Sequence, residues 1–231
     1  MAAFVFEEFP KIPRLKREVT ITEKIDGTNA QVAWFALDTE ESYNQAAADP
    51  NCLFTAQGLK DGDSAMALYA GSRNRWITPD NDNFGFAKWA VRNAEALRAL
   101  GPGRHYGEWY GLGIQRGYDL PEKRFALFNV ARWNSENPNR PACCEVVPIL
   151  ARGENVDDDF VMYSLDQHGS KLVPGYKQPE GIVVFHSASR QLYKRTFAQD
   201  GGKWKDKGNP GPNLYVTAWS LPEGVHPEEL I

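Results

Sequence analysis

Glu23-Lys24-Ile25-Asp26-Gly27-Thr28-Asn29 stands between two β-rich runs, Glu18–Thr22 and Ala30–Leu37. A lysine directly after a strand is fixed at its Cα, and the Asp-Gly pair behind it supplies the backbone freedom of a tight turn. Such a segment presents a flexible amine at a fixed point. It is equally the pattern of a solvated lysine before an ordinary β-turn, because Asp-Gly is a common turn pair. The segment by itself does not choose between the two.

Residues 10–17 (PKIPRLKR) form a short basic stretch with two prolines, readable as an exposed arm or as a contact to a phosphate backbone. Residues 38–51 are polar and Ala-rich and are expected to be a loop or hairpin excursion. Phe54–Gln57 and Ala70–Ser72 suit short strands. Phe84–Leu100 places Phe86, Ala90, Val91, Ala94 and Leu97 at helical spacing, and Gly101-Pro102-Gly103 ends it. His105–Tyr110 and Phe125–Ala131 are strand candidates, Val156–His168 a second helix, and Gly181–His186 with Gln191–Phe197 a closing strand pair. Several short strands with two interspersed helices predict an α+β fold built on antiparallel sheets. No Gly- or Ser-rich linker divides the chain, so one domain over 1–231 is expected, with 198–231 as an irregular tail.

Composition narrows the function classes. With 231 residues and 42% apolar content the chain can bury a sizeable core. The formal net charge of −4 argues against a role confined to gripping nucleic acid, though not against an enzyme with a local basic groove. Three cysteines, two of them adjacent, show no zinc spacing and fit a reducing compartment; with no signal pattern and no membrane-length apolar run, a cytoplasmic location is expected.

Further segments supply what the lysine lacks alone. Lys24-Ile25-Asp26-Gly27-Thr28-Asn29 resembles motif I of the covalent nucleotidyltransferase superfamily, which contains ATP-dependent DNA ligases, RNA ligases and mRNA-capping guanylyltransferases. Ser72-Arg73-Asn74-Arg75 resembles motif Ia, Gly107-Glu108-Trp109-Tyr110-Gly111 motif III, and Phe125 to Val130 motif IIIa. Pro179-Glu180-Gly181-Ile182-Val183-Val184 resembles motif IV, and Leu192-Tyr193-Lys194-Arg195 motif V. Each segment taken singly also reads as an aromatic strand, a core phenylalanine, a turn or a solvated strand face. Their common order over roughly residues 19–208 is the stronger signal, leaving 209–231 as tail. Asn29, where DNA ligases and capping enzymes usually carry Arg, favours the RNA ligase branch.

The resemblance implies a nucleotidyltransferase domain of ATP-grasp-like type, antiparallel sheets flanked by helices, with no separate C-terminal domain. It implies that Lys24 is the nucleophile, aided by Glu180 and Lys194. The nucleotide is held by Glu23, Asn29, Arg73, Glu108, Phe128 and Lys207, and Mg²⁺ or Mn²⁺ by Glu180 and Asp26. Glu108 orients the ribose, and Phe128 stacks on adenine with about 1–3 kcal/mol. Where relatives carry a second motif V lysine this chain has Leu192, so Arg195 or Lys207 is left to supply that charge. A free lysine titrates near ~10.4, so the attacking amine must shed its proton beside cations. ATP is the co-substrate, and RNA with 5′-phosphate and 3′-hydroxyl ends the partner, in RNA repair. A DNA or mixed nick-sealer, and a self-adenylating protein that needs a partner protein for sealing, are the alternatives. Lys203, Trp204, Lys205 and Lys207 suit a strand-tracking groove or a solvated loop.

Overall fold

A computed structural model describes residues 7–57, 64–134 and 136–198, and the backbone of 217–219. The chain begins with β1 (Val19–Lys24) and β2 (Thr28–Leu37), followed by α1 (Glu40–Ala48), β3 (Phe54–Ala56), β4 (Ala65–Ser72) and β5 (Trp76–Ile77). Next come α2 (Phe86–Arg92), α3 (Ala94–Leu97) with a 3₁₀ turn at Arg98–Leu100, β6 (Gly103–Gly111), β7 (Lys123–Leu127), β8 (Cys144–Val146) and β9 (Ile149–Gly153). The last elements are α4 (Asp158–His168), β10 (Gly181–His186), β11 (Gln191–Thr196) and β12 (Thr217–Trp219).

The strands form two sheets. The smaller has the order β12-β11-β10-β1-β9 and the larger β3-β4-β2-β6-β7-β8, with β5 on β4. The α+β class expected from the pattern is the one observed. Pairing is antiparallel except between β7 and β8, which run parallel. β1 belongs to the smaller sheet and β2 to the larger, so residues 25–27 carry the chain from one sheet to the other.

Strand alternation sorts side chains to opposite faces. On the larger sheet Trp34, Leu68, Ile77, Trp109, Phe125 and Leu127 point backward and meet Phe86, Ala90 and Leu97 of α2 and α3. Two buried indoles of this layer find backbone acceptors: Trp34 donates to the Leu97 carbonyl at 2.9 Å and Trp109 to that of Phe84 at 3.2 Å. On the smaller sheet Ile21 and Ile182 pack against Val161, Met162 and Leu165 of α4. The Asp157 side chain caps α4 by accepting from the Phe160 amide at 3.1 Å.

Three expectations are corrected. Residues 38–51 are mainly helical: α1 has a single buried side chain, Ala46, so it shows no apolar stripe, and a capping box between Thr39 and Ser42 starts it. The helix expected over Phe84–Leu100 is broken at Asn93, whose side-chain amide bonds the Trp89 carbonyl at 2.8 Å. Within the expected irregular tail, Thr217–Trp219 pairs with β11; most of 198–231, with Lys203, Trp204, Lys205 and Lys207, lies outside the described residues.

Candidate active site

Lys24 is the last residue of β1 and pairs with Gly181, the first residue of β10. Glu180 directly precedes that glycine, so the register brings two groups far apart in sequence together. Lys24 Nζ lies 2.6 Å from Glu180 Oε2, with the side chains 24% and 17% exposed. Burial raises the Glu180 carboxyl above its ordinary range, and the Lys24 ammonium is the largest influence opposing that rise.

Motif residues beyond the lysine converge on a second carboxylate. Glu108 of β6 faces Asn29 of β2 in the ladder. Its Oε1 accepts from the Gly27 amide and its Oε2 from Asn29 Nδ2, both at 3.1 Å. Glu108 is 7% exposed. Burial pushes its pKa up to about 8, against the pull of Lys24 and with Glu180 reinforcing the rise.

The sequence suggested that Gly27 serves a turn. The structure gives another reason. A Cβ at Gly27 would stand 2.4 Å from the Trp109 carbonyl and 3.0 Å from Glu108 Cγ. The absent side chain lets the crossover lie against β6 and its amide reach Glu108.

Asp26 is engaged elsewhere. Its carboxylate accepts from Arg116 Nε at 2.7 Å, and its amide donates to the Tyr118 hydroxyl at 2.8 Å. Arg116 also donates to the Gln178 carbonyl at 3.2 Å, joining the Asp26 turn to the chain leading into Glu180. Neither Arg116 nor Tyr118 was singled out from the sequence, and no spacing there marks them.

Glu23 points opposite to its neighbour Lys24. Its Oε2 accepts from the Lys171 and Leu172 amides at 2.8 and 3.0 Å, and its Oε1 is buried with no hydrogen-bond partner among the described residues. Burial raises this carboxyl too. The Glu23 side chain is thus committed to the loop after α4.

Motif V divides in the same way. Lys194 pairs with Val183, which pairs with Thr22, so Lys194 projects from the Lys24 face. Arg195 projects from the α4 face, where it bonds Asp158 at 2.8 Å and Asp159 at 2.5 Å. Arg195 is therefore not the second cation on the Lys24 face, and Lys207 lies outside the described residues. Phe128 follows β7, bonds the Tyr106 carbonyl through its amide, and shares the Glu108 face through the alternation of β7. It is half-buried against a cluster holding Ile25, Tyr110 and Tyr118, whereas Phe125 is buried on the reverse face. Arg73 is exposed just past Ser72, which pairs with Ala30.

Among the described residues no group of three His, Cys, Asp or Glu side chains could hold a metal ion. The carboxylates beside Lys24 fit a different arrangement, in which Mg²⁺ or Mn²⁺ takes one or two protein oxygens and completes its shell with substrate phosphates and water.

The two sheets thus meet at Lys24, with Glu180 leading into β10 of the smaller sheet and Glu108 on β6 of the larger. The RNA ligase family model matches residues 17–204, and the chain belongs to that family. No curated protein matches the chain. Solved structures of an RNA ligase from Naegleria gruberi share the fold. A variant with ATP and manganese matches at TM-score 0.50 and 20% identity over 79% of this chain and 50% of the other. The same ligase with pyrophosphate matches at TM-score 0.50 and 20% identity over 78% and 50%. An apo variant matches at TM-score 0.50 and 19% identity over 79% and 50%. The chain thus spans about half the length of these relatives. Among the described residues no helix is long and apolar enough to cross a membrane.

Proposed function

We propose that the chain is an ATP-dependent RNA ligase that acts through AMP bound covalently to Lys24. The observation that carries this reading is the partly exposed Lys24 amine, held 2.6 Å from Glu180 at the junction of the two sheets. Lys24 Nζ attacks the α-phosphorus of ATP; the P–N bond forms, the bond to the bridging oxygen breaks, and pyrophosphate leaves. Glu180, whose affinity for protons is raised by burial, takes the amine proton. Glu108 and Asn29 position the ribose, Phe128 packs on adenine, and Lys194 neutralises charge at the α-phosphate. A divalent cation held by Glu180 would add to that neutralisation and weaken the carboxylate's hold on the Lys24 ammonium.

An RNA 5′-phosphate oxygen then attacks the lysyl-bound phosphorus, breaking the P–N bond and restoring the amine. A 3′-hydroxyl attacks the activated 5′-phosphate, closes the phosphodiester and releases AMP. Membership of the RNA ligase family and Asn29 in motif I support RNA over DNA as the substrate.

Incubation with α-labelled ATP and Mg²⁺ or Mn²⁺ should label the protein covalently, and pyrophosphate should reverse the label. Equal labelling of a Lys24→Ala variant would end the reading of Lys24 as nucleophile. Labelled protein that passes no AMP to 5′-phosphorylated RNA would end the ligase reading and point to self-adenylation that depends on a partner. Equal sealing of DNA ends would replace RNA ligation with mixed nick sealing.

A further inference from the structure

Beyond the catalytic junction, the front of the larger sheet carries a second array of chemistry-bearing side chains. Along β2, Asn29, Gln31, Ala33 and Phe35 share one face, with Phe35 about 20 Å from Asn29 by strand rise. Their ladder partners on that face include Gly71 and Tyr69 of β4 and Tyr106 and Arg104 of β6, and Gly71 pairs in turn with Trp76. The same sheet face thus runs without interruption from Glu108 to Arg104.

The far end is built around Arg104. Its guanidinium lies 5.0 Å from the Trp76 ring centroid and 5.4 Å from that of Phe35. The aromatics brace one another, Tyr69 meeting Trp76 at 5.3 Å and Phe35 at 5.4 Å. Arg104 Nη1 also donates to Gln31 Oε1 at 3.1 Å, which fixes the plane of the fork. Gln31 can lie there because Gly71 has no side chain: a Cβ would stand 2.7 Å from Gln31 Cγ. On the inner side Tyr69 is anchored by its hydroxyl to Asp49 at 3.0 Å. Arg104 and Phe35 remain exposed to solvent, and Arg73 and Arg75 are exposed nearby.

An exposed arginine backed by aromatic rings costs side-chain freedom, and among the described residues the guanidinium bonds Gln31 and forms no ion pair with a carboxylate. What the array offers outward is a flat cationic plane beside an exposed ring, with further arginines between it and the active site. We propose that this Arg104 cluster is a subsite for an unpaired base of the RNA strand whose end lies at Lys24. A base stacks on guanidinium and aromatic planes, while the neighbouring arginines meet its phosphates. The occupant follows from charge and shape together: the array is cationic and flat, which suits a polyanion with planar bases. This inference rests on the RNA ligase reading and extends it to the grip on substrate.

The test measures binding of a short 5′-phosphorylated single-stranded RNA carrying one 2-aminopurine, in the absence of ATP, by anisotropy and by quenching of the base. Arg104→Ala should weaken binding about tenfold and abolish part of the quenching. Arg104→Lys keeps the charge without the plane and should retain most of that loss. A blunt RNA duplex of the same sequence, whose bases are already stacked, should bind all three proteins alike. Wild-type affinity for the single strand in Arg104→Ala overturns the subsite. Full recovery in Arg104→Lys, or an equal loss with the duplex, makes the contact one of charge and overturns stacking. Because ATP is absent, failure of self-adenylation would sink the ligase reading and leave this result standing.

Discussion

The two faces of the smaller sheet have opposite fates. Lys24, Val183 and Lys194 share one face; Glu23, Ile182 and Arg195 share the other and look toward α4 and the loop after it. On the α4 side two charged strand residues are held locally, Arg195 by Asp158 and Asp159 and Glu23 by the amides of Lys171 and Leu172. On the opposite side Lys24 and Glu180 hold one another but stay partly exposed to solvent. Residues adjacent in sequence therefore do different jobs, one fixing structure and the other offering charge. The difference teaches that in a strand the neighbour of a reactive group is the residue least suited to share its task.

That contrast can be broken or sharpened by substitution. Lys24→Ala should reduce covalent labelling by α-labelled ATP to background, the largest effect, while the melting temperature changes little because its ion pair is partly solvated. Lys194→Ala should slow labelling by about a hundredfold, as loss of one charge-stabilising group does elsewhere, whereas Arg195→Ala should leave the labelling rate unchanged; equal effects would erase the contrast between the faces. Glu23→Ala should show the reverse signature. Two part-buried amides would lose their acceptor, lowering stability by about 1–3 kcal/mol in denaturant unfolding, with labelling retained at temperatures well below the transition.

A smaller effect concerns pH. Folded Glu108 keeps its proton up to about 8 against an ordinary value of 4.5. Between those values the folded chain binds more protons than the unfolded one, so stability falls as pH rises through that window and levels off above it. Glu108→Gln removes this slope. The stability of wild type relative to the variant should decline by about 1–3 kcal/mol between those limits, and a flat difference would mean that Glu108 is ionised throughout. The smallest expected change is in the stability of Arg195→Ala, within about 1 kcal/mol of wild type, since its ion pairs are substantially solvated.

Much of the scaffold was legible along the chain. Alternation and β-branched residues marked β1, β2, β6, β10 and β11 to within a few residues. Helix α1 was not legible, because it buries only Ala46 and is started by a cap instead of an apolar face. Strands β8 and β9 were passed over, being short and without a buried alternating pattern. At the site, the ordered motifs drew attention to Lys24, Glu108, Glu180 and Lys194, which the two sheets bring to one junction. They gave no warning that Asp26 would be held by Arg116, or that Glu23 would turn to the loop after α4.

The longer strands, the side chains that alternate along each, and a lysine at a strand end beside a turn glycine could be read from the chain alone. These are local properties, set by φ/ψ preference and the two-residue period. Only the tertiary structure decided what each face would meet. Lys24 reaches Glu180 because β1 pairs with β10, Gly27 is required because β6 passes within 2.4 Å of its missing Cβ, and Arg195 is withdrawn because α4 lies on its side of the sheet. The physical reason is that a strand fixes which residues share a face, while the covering of that face depends on segments arriving from elsewhere in the chain.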